Sequence, residues 1–210
     1  MNQLEHAGPN SALETLRRFV RRRVPAERCE LCSKGLGEIH PHLLQPANRQ
    51  LVCACEPCAI LFSDSQSSKY KRVPRETRYL SDFHMTDGQW ESLMLPISMA
   101  FFFYSNPEQK IVALYPSPAG ATESLLRLES WNEILENNPA LKTMRPDVEA
   151  LLVNRVGSEH QYFIAPIDEC FKLVGLIRMK WRGLSGGSEV WQELYKFFDE
   201  LKNRSLCLRG

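Results

Sequence analysis

The stretch Cys29–Cys58, CELCSKGLGEIHPHLLQPANRQLVCACEPC, places five cysteines and two histidines within thirty residues. A tetrahedral metal site needs four ligands, so the segment offers more donors than one ion can use. Cys29-x-x-Cys32 and Cys55-x-x-Cys58 are separated by 22 residues, slightly beyond the roughly 15–20 common in two-pair zinc sites. Each pair can form a knuckle that turns two thiolates toward one ion, while the intervening segment folds back as a hairpin. Zn²⁺ suits such a donor set because its filled d shell imposes no geometry of its own. Cys29, Cys32, Cys55 and Cys58 are therefore the expected ligands of a structural zinc, in a ribbon or treble-clef arrangement.

Iron in a rubredoxin-like centre is the competing occupant. Rubredoxin-like knuckles usually place glycine soon after the second cysteine, whereas Cys58 is followed by Ala-Ile-Leu-Phe, as in the first turn of a helix. The surplus donors have their own readings. Cys53 and Cys55 alternate and would share one face of a strand, so Cys53 can substitute for Cys55, pack as a small apolar side chain, or serve as a regulatory or metal-transferring thiol. His40 and His42 also alternate. They can replace a cysteine, hydrogen-bond to a metal-bound sulfur or face water, and the last two readings are favoured. The order CxxC, EIHPH, Asn48, CxxC also resembles the layout of HNH-type nucleases. His-Pro-His stands where adjacent histidines are typical there, and no histidine follows Cys58, Asp64 being the nearest acidic candidate. That departure argues against a nuclease.

Reducing conditions keep thiols free, so dense cysteines in a cytoplasmic protein point to metal rather than disulfides. A cytoplasmic protein is expected here. MNQLEHAGPNSALETL lacks an apolar run of signal-peptide length, and the longest apolar block, ISMAFFFY, is too short to span a bilayer. The net charge of +1 gives no global reason for a nucleic-acid or membrane partner.

Along the chain, Ser11 and Glu14 form a capping box. Leu13, Leu16, Phe19 and Val20 then follow at helical spacing, with Arg17, Arg18, Arg21, Arg22 and Arg23 around them. This predicts a basic amphipathic helix within 1–26, either solvated or docked on an acidic partner. Residues 27–64 are the cysteine module, and 65–78, polar and then basic, read as a linker or exposed loop. Residues 79–210 read as an α+β domain of two hairpins and three helices. ISMAFFFY pairs with KIVALYP, a helix runs from about Thr122 to Glu136, and EALLVNRV pairs with HQYFIAPI. Helices then start near Asp168 and after the loop Trp181–Gly187, with Ser185 or Ser188 as the last N-cap. Cys170 falls on an apolar helical stripe and reads as core. No Ser-His-Asp or Cys-His arrangement emerges, and no catalytic residue is assigned.

CELC…HxH…CxCxxC…LF near the start and PIDECFKLVGLIR…WRGLSGG…EVW…FF near the end resemble one bacterial domain family of unknown function. Its genes typically lie beside those of nickel-iron uptake hydrogenases. The resemblance runs from about Cys29 to Leu201 and implies context rather than chemistry: a cytoplasmic accessory role, with a hydrogenase component or accessory protein as partner. The combined expectation is a non-enzymatic, metal-binding adaptor. A rubredoxin-like electron carrier or thiol-dependent metal handler is the first alternative, and an HNH-like nuclease the second.

Overall fold

The computed structural model describes residues 27–63, 69–124, 128–183 and 186–208. The basic helix expected within 1–26 and the candidate Asp64 lie outside the described residues. The chain begins with a knuckle at Cys29–Cys32, closed by an Arg28–Gly35 bridge. A hairpin of β1 (His42–Gln45) and β2 (Gln50–Cys53) follows, then helix α1 (Glu56–Ser63) and the short strand β3 (Lys71–Arg72). These strands make a three-stranded sheet in the order β2-β1-β3. The segment expected as a linker thus contributes a strand to this sheet.

The remainder runs β4 (Arg78–Leu80), α2 (Asp87–Ser92), β5 (Met99–Ser105), β6 (Lys110–Ser117), β7 (Gly120–Ser124), α3 (Leu128–Asn137), a 3₁₀ turn (Pro139–Thr143), β8 (Glu149–Asn154), β9 (Gln161–Pro166), α4 (Ile167–Lys180), α5 (Gly187–Asn203) and β10 (Leu206–Leu208). Seven strands form one sheet, β10-β4-β9-β8-β5-β6-β7. Its pairs are antiparallel except β10 with β4. Both expected strand pairs are present, within a mixed α+β fold.

Helices cover both faces of this sheet. On one face Phe101, Leu152 and Phe163 pack against Leu173, Ile177, Val190, Leu194, Phe198 and Leu201 of α4 and α5. On the other, Phe102, Leu151 and Ile164 meet Trp131, Ile134 and Leu141. That is why β5 and β8 read as unbroken apolar runs rather than alternating ones: every side chain along their centres is buried, whichever way it points. Each such phenylalanine contributes about 1.5–3 kcal/mol by leaving water. Among the described residues, no helix is long and apolar enough to cross a membrane.

Two local expectations are corrected. The helix expected from Thr122 is preceded by β7, which pairs Ser117 with Gly120 and Ala113 with Ser124. Gly120, at φ +128, supplies the positive φ that lets the chain reverse there. Helix α5 takes Gly186 rather than a serine as N-cap, in the left-handed region at φ 86. A Cβ at Gly186 would lie 2.9 Å from Val190 Cγ1 and 3.1 Å from the Trp181 ring. Glycine is thus required by backbone and packing together. Arg182 pairs its backbone with Gly186 and donates from its guanidinium to the Trp181 carbonyl.

The small sheet is tied to the large core. Leu44 and Val73 are buried in the same cluster as Phe101 and Leu173. Lys71 reaches Asp147 at 2.6 Å, a buried carboxylate that also accepts from the Asn106 amide and side chain. Arg49 pairs with Glu108 and Glu123.

Candidate metal centre

The first knuckle is set by backbone bonds. Cys29 N–H donates to the Lys34 carbonyl at 2.8 Å and Ser33 N–H to the Cys29 carbonyl at 2.7 Å. Ser33 takes a left-handed conformation, φ 62. Two bonds dock this turn on β2: Glu30 N–H to the Cys53 carbonyl, and Cys53 N–H to Glu30 Oε1. The second pair sits differently. Strand β2 ends at Cys53, and α1 starts at Glu56 with Pro57 in its first turn, where a missing N–H costs nothing. Cys55 caps that helix, its carbonyl accepting from Ala59 N–H at 2.9 Å, and Cys58 lies within it. Knuckle, hairpin, then a helix bearing the last two cysteines is the treble-clef order rather than the ribbon.

Hairpin and helix bring Cys29, Cys32, Cys55 and Cys58 together, each Sγ within 4.8 Å of the others. Cys32 and Cys55 stand 3.6 Å apart, close to the about 3.8 Å edge of a tetrahedron with metal–sulfur bonds of about 2.3 Å. Cys29, Cys55 and Cys58 are buried and Cys32 is exposed. Their acidities diverge. Burial pushes the Cys29 thiol up, but amide donors at Cys55, Leu31 and Cys32 outweigh it and bring it down to about 6. The Cys58 thiol, hydrogen-bonded to Cys55 and then burdened by burial, is pushed up to about 12. The Cys32 thiol is raised as well: the Lys34 backbone lowers it, but hydrogen bonds to Cys29 and Cys55 outweigh that. A divalent cation held there would favour the deprotonated form of all four. The cluster can hold a metal ion such as zinc.

The expectation that Cys53 and Cys55 share a strand face is overturned. Because β2 ends at Cys53, Cys55 turns into the helix while Cys53 remains opposite His42 across the hairpin. Residues directly opposite in an antiparallel pair project on the same side. His40, His42 and Cys53 form a second cluster, again with donor atoms within 4.8 Å. The two imidazoles meet edge to face, centroids 4.9 Å apart. His40 does not face water: its side chain is only 7% exposed. Its Nδ1 lies 2.9 Å from the Gly37 carbonyl, and its buried Nε2 has no hydrogen-bond partner. His42 Nδ1 lies 2.6 Å from Asp168 Oδ2, on the first turn of α4. That hydrogen bond holds the His42 imidazole above its ordinary value, against burial.

Asp168, expected only as a helix start, is brought against His42 by the docking of α4. Burial and then the charges of Glu30, Glu27 and Cys29 raise the Cys53 thiol. Cys170 is fully buried in the large core, as expected, and its thiol is raised by desolvation.

The chain belongs to DUF5947, a family of unknown function, which it matches over residues 28–205. No curated protein and no solved structure matches it.

Proposed function

We propose that this chain is a non-enzymatic, metal-binding adaptor whose zinc, held by Cys29, Cys32, Cys55 and Cys58, fixes a small lobe as a display surface. The observation that carries this is the pairing of a four-thiol cluster with an apolar helix turn. Four thiolates close a tetrahedral shell and leave no position for substrate. Helix α1, which carries Cys58 and is capped by Cys55, turns Ile60, Leu61 and Phe62 to solvent at 56%, 73% and 41% exposure. Contiguous exposed apolar side chains mark interaction surfaces. In this reading metal coordination supplies folding energy to a cysteine module at 27–64, too small for a good core of its own. Residues 79–210 provide a second surface.

The finer reading is an accessory role toward a nickel-iron hydrogenase component in a reducing cytoplasm. It rests on the motif resemblance and on seven cysteines that are all free of disulfides. Elemental analysis of protein purified without added metal tests the first level: one zinc per chain, lost in Cys29→Ser, is expected. Iron with strong visible absorption would instead make the chain a rubredoxin-like electron carrier. Binding to purified hydrogenase components, abolished by Leu61→Asp with zinc retained, tests the second level. Wild-type protein that binds none of them would remove the hydrogenase assignment while leaving the zinc lobe intact.

A further inference from the structure

We propose that His40, His42 and Cys53 form a second metal site, separate from the tetrathiolate cluster, that takes a late first-row divalent cation and keeps one coordination position open. Four features converge on it. The three donors lie within 4.8 Å of one another. The β1–β2 register sets His42 directly across from Cys53, so two of the donors project from a rigid hairpin rather than a loop. His40 Nε2 is buried with no partner, on a side chain more than nine-tenths hidden from solvent. A buried polar atom in that condition is costly unless something satisfies it. Finally, Nδ1 of each ring is already engaged, by the Gly37 carbonyl and by Asp168. Both imidazoles are thereby fixed with Nε2 as the remaining lone pair. A carboxylate behind the histidine, as Asp168 stands behind His42, is the arrangement that orients metal-binding imidazoles and raises their basicity.

The donor set selects the ion. Two imidazoles and one thiolate are borderline ligands that suit Zn²⁺, Co²⁺, Ni²⁺ or Cu²⁺ and disfavour Ca²⁺ or Mg²⁺. Glu30 is occupied by the Cys53 amide at 2.7 Å, and Glu27 lies 3.5 Å from His40 Nδ1, the nitrogen turned away from coordination. Both add negative potential without completing the shell. As the metal–sulfur bond forms, the Cys53 thiol proton is released to solvent. Three protein ligands leave room for water or an exchanging donor, which the tetrathiolate site does not. The pair is then one closed, structural centre beside one open, exchangeable centre.

The test is Co²⁺ titration of the intact, zinc-replete chain, followed by absorbance, with zinc and cobalt both counted after dialysis. The wild type should bind one cobalt beyond its retained zinc, with a thiolate-to-cobalt charge-transfer band. Cys53→Ser should abolish that band, His40→Ala should weaken cobalt binding at least about tenfold, and Asp168→Asn should weaken it by about 10–100-fold. Zinc should remain in all three variants, which also reports that they fold. Cobalt that merely replaces zinc, a second equivalent indifferent to these substitutions, or loss of zinc in Cys53→Ser would each overturn the proposal. Absence of zinc from the wild type itself would instead sink the adaptor reading, so the two failures are distinguishable.

Discussion

Cys53 and Cys55 are separated by one residue, yet they belong to clusters of different character. Cys55 joins three other thiols, one of them, Cys29, lowered to about 6 by amide donors. Cys53 joins two histidines, and its own thiol is raised. The first cluster is assembled within thirty residues of chain, by a knuckle and the start of a helix. The second borrows Asp168 from α4, far along the sequence. The lesson is that a metal-ready arrangement can be local or tertiary, and the two kinds should fail differently. Disrupting the local one removes folding energy from the lobe. Disrupting the tertiary one loosens a joint between the lobe and the large sheet.

The largest effect is expected from Cys58→Ser. Structural zinc contributes roughly 10–16 kcal/mol in small zinc-binding peptides, so losing a ligand should empty the site and collapse amide-exchange protection across 27–63. The seven-stranded sheet keeps its own two-faced core and should stay protected. Simultaneous loss of protection in β5 and β8 would contradict the proposed division between 27–64 and 79–210.

Gly186→Ala comes next and lies outside both clusters. Its Cβ would crowd Val190 and Trp181 at a positive φ, costing about 1–3 kcal/mol in a denaturant melt. Metal content should be unchanged. A shift in zinc stoichiometry would mean that the loop and the lobe are coupled.

His42→Ala should cost less, about 1–2 kcal/mol, because the bond it removes is charge-assisted but its partners remain 33% and 21% exposed. Zinc should be retained while exchange quickens at the start of α4. If zinc is lost as well, His42 belongs to the first cluster and the contrast fails. Leu61→Asp should be the mildest, within about 0.5 kcal/mol by thermal melt, because that side chain is already in water. It should alter only partner binding.

Much of this molecule was readable from local pattern. The spacing of the two CxxC pairs anticipated the four-thiol cluster, since each pair needs only a tight turn to aim its sulfurs. The runs at 97–104 and 149–156 anticipated buried strands, and the loop Trp181–Gly187 anticipated the start of α5. The serine expected as N-cap of α5 gives way to Gly186 because the crowding of that position by Val190 and Trp181 exists only once the loop is folded. The helix expected from about Thr122 gives way to the end of β7 because ATES has no decisive period, and only pairing with β6 settles it.

Sequence by itself determined the donor types, the cysteine pairs and the apolar faces, because each depends on neighbours within a few residues. Tertiary structure alone decided that Cys53 faces His42, that His40 is buried with an unpartnered nitrogen, and that Asp168 stands behind an imidazole from the other end of the chain. The physical reason is that strand register and the docking of α4 against the sheet are set by the fit of whole apolar surfaces. Polar groups brought together by that fit leave no periodic trace in the chain.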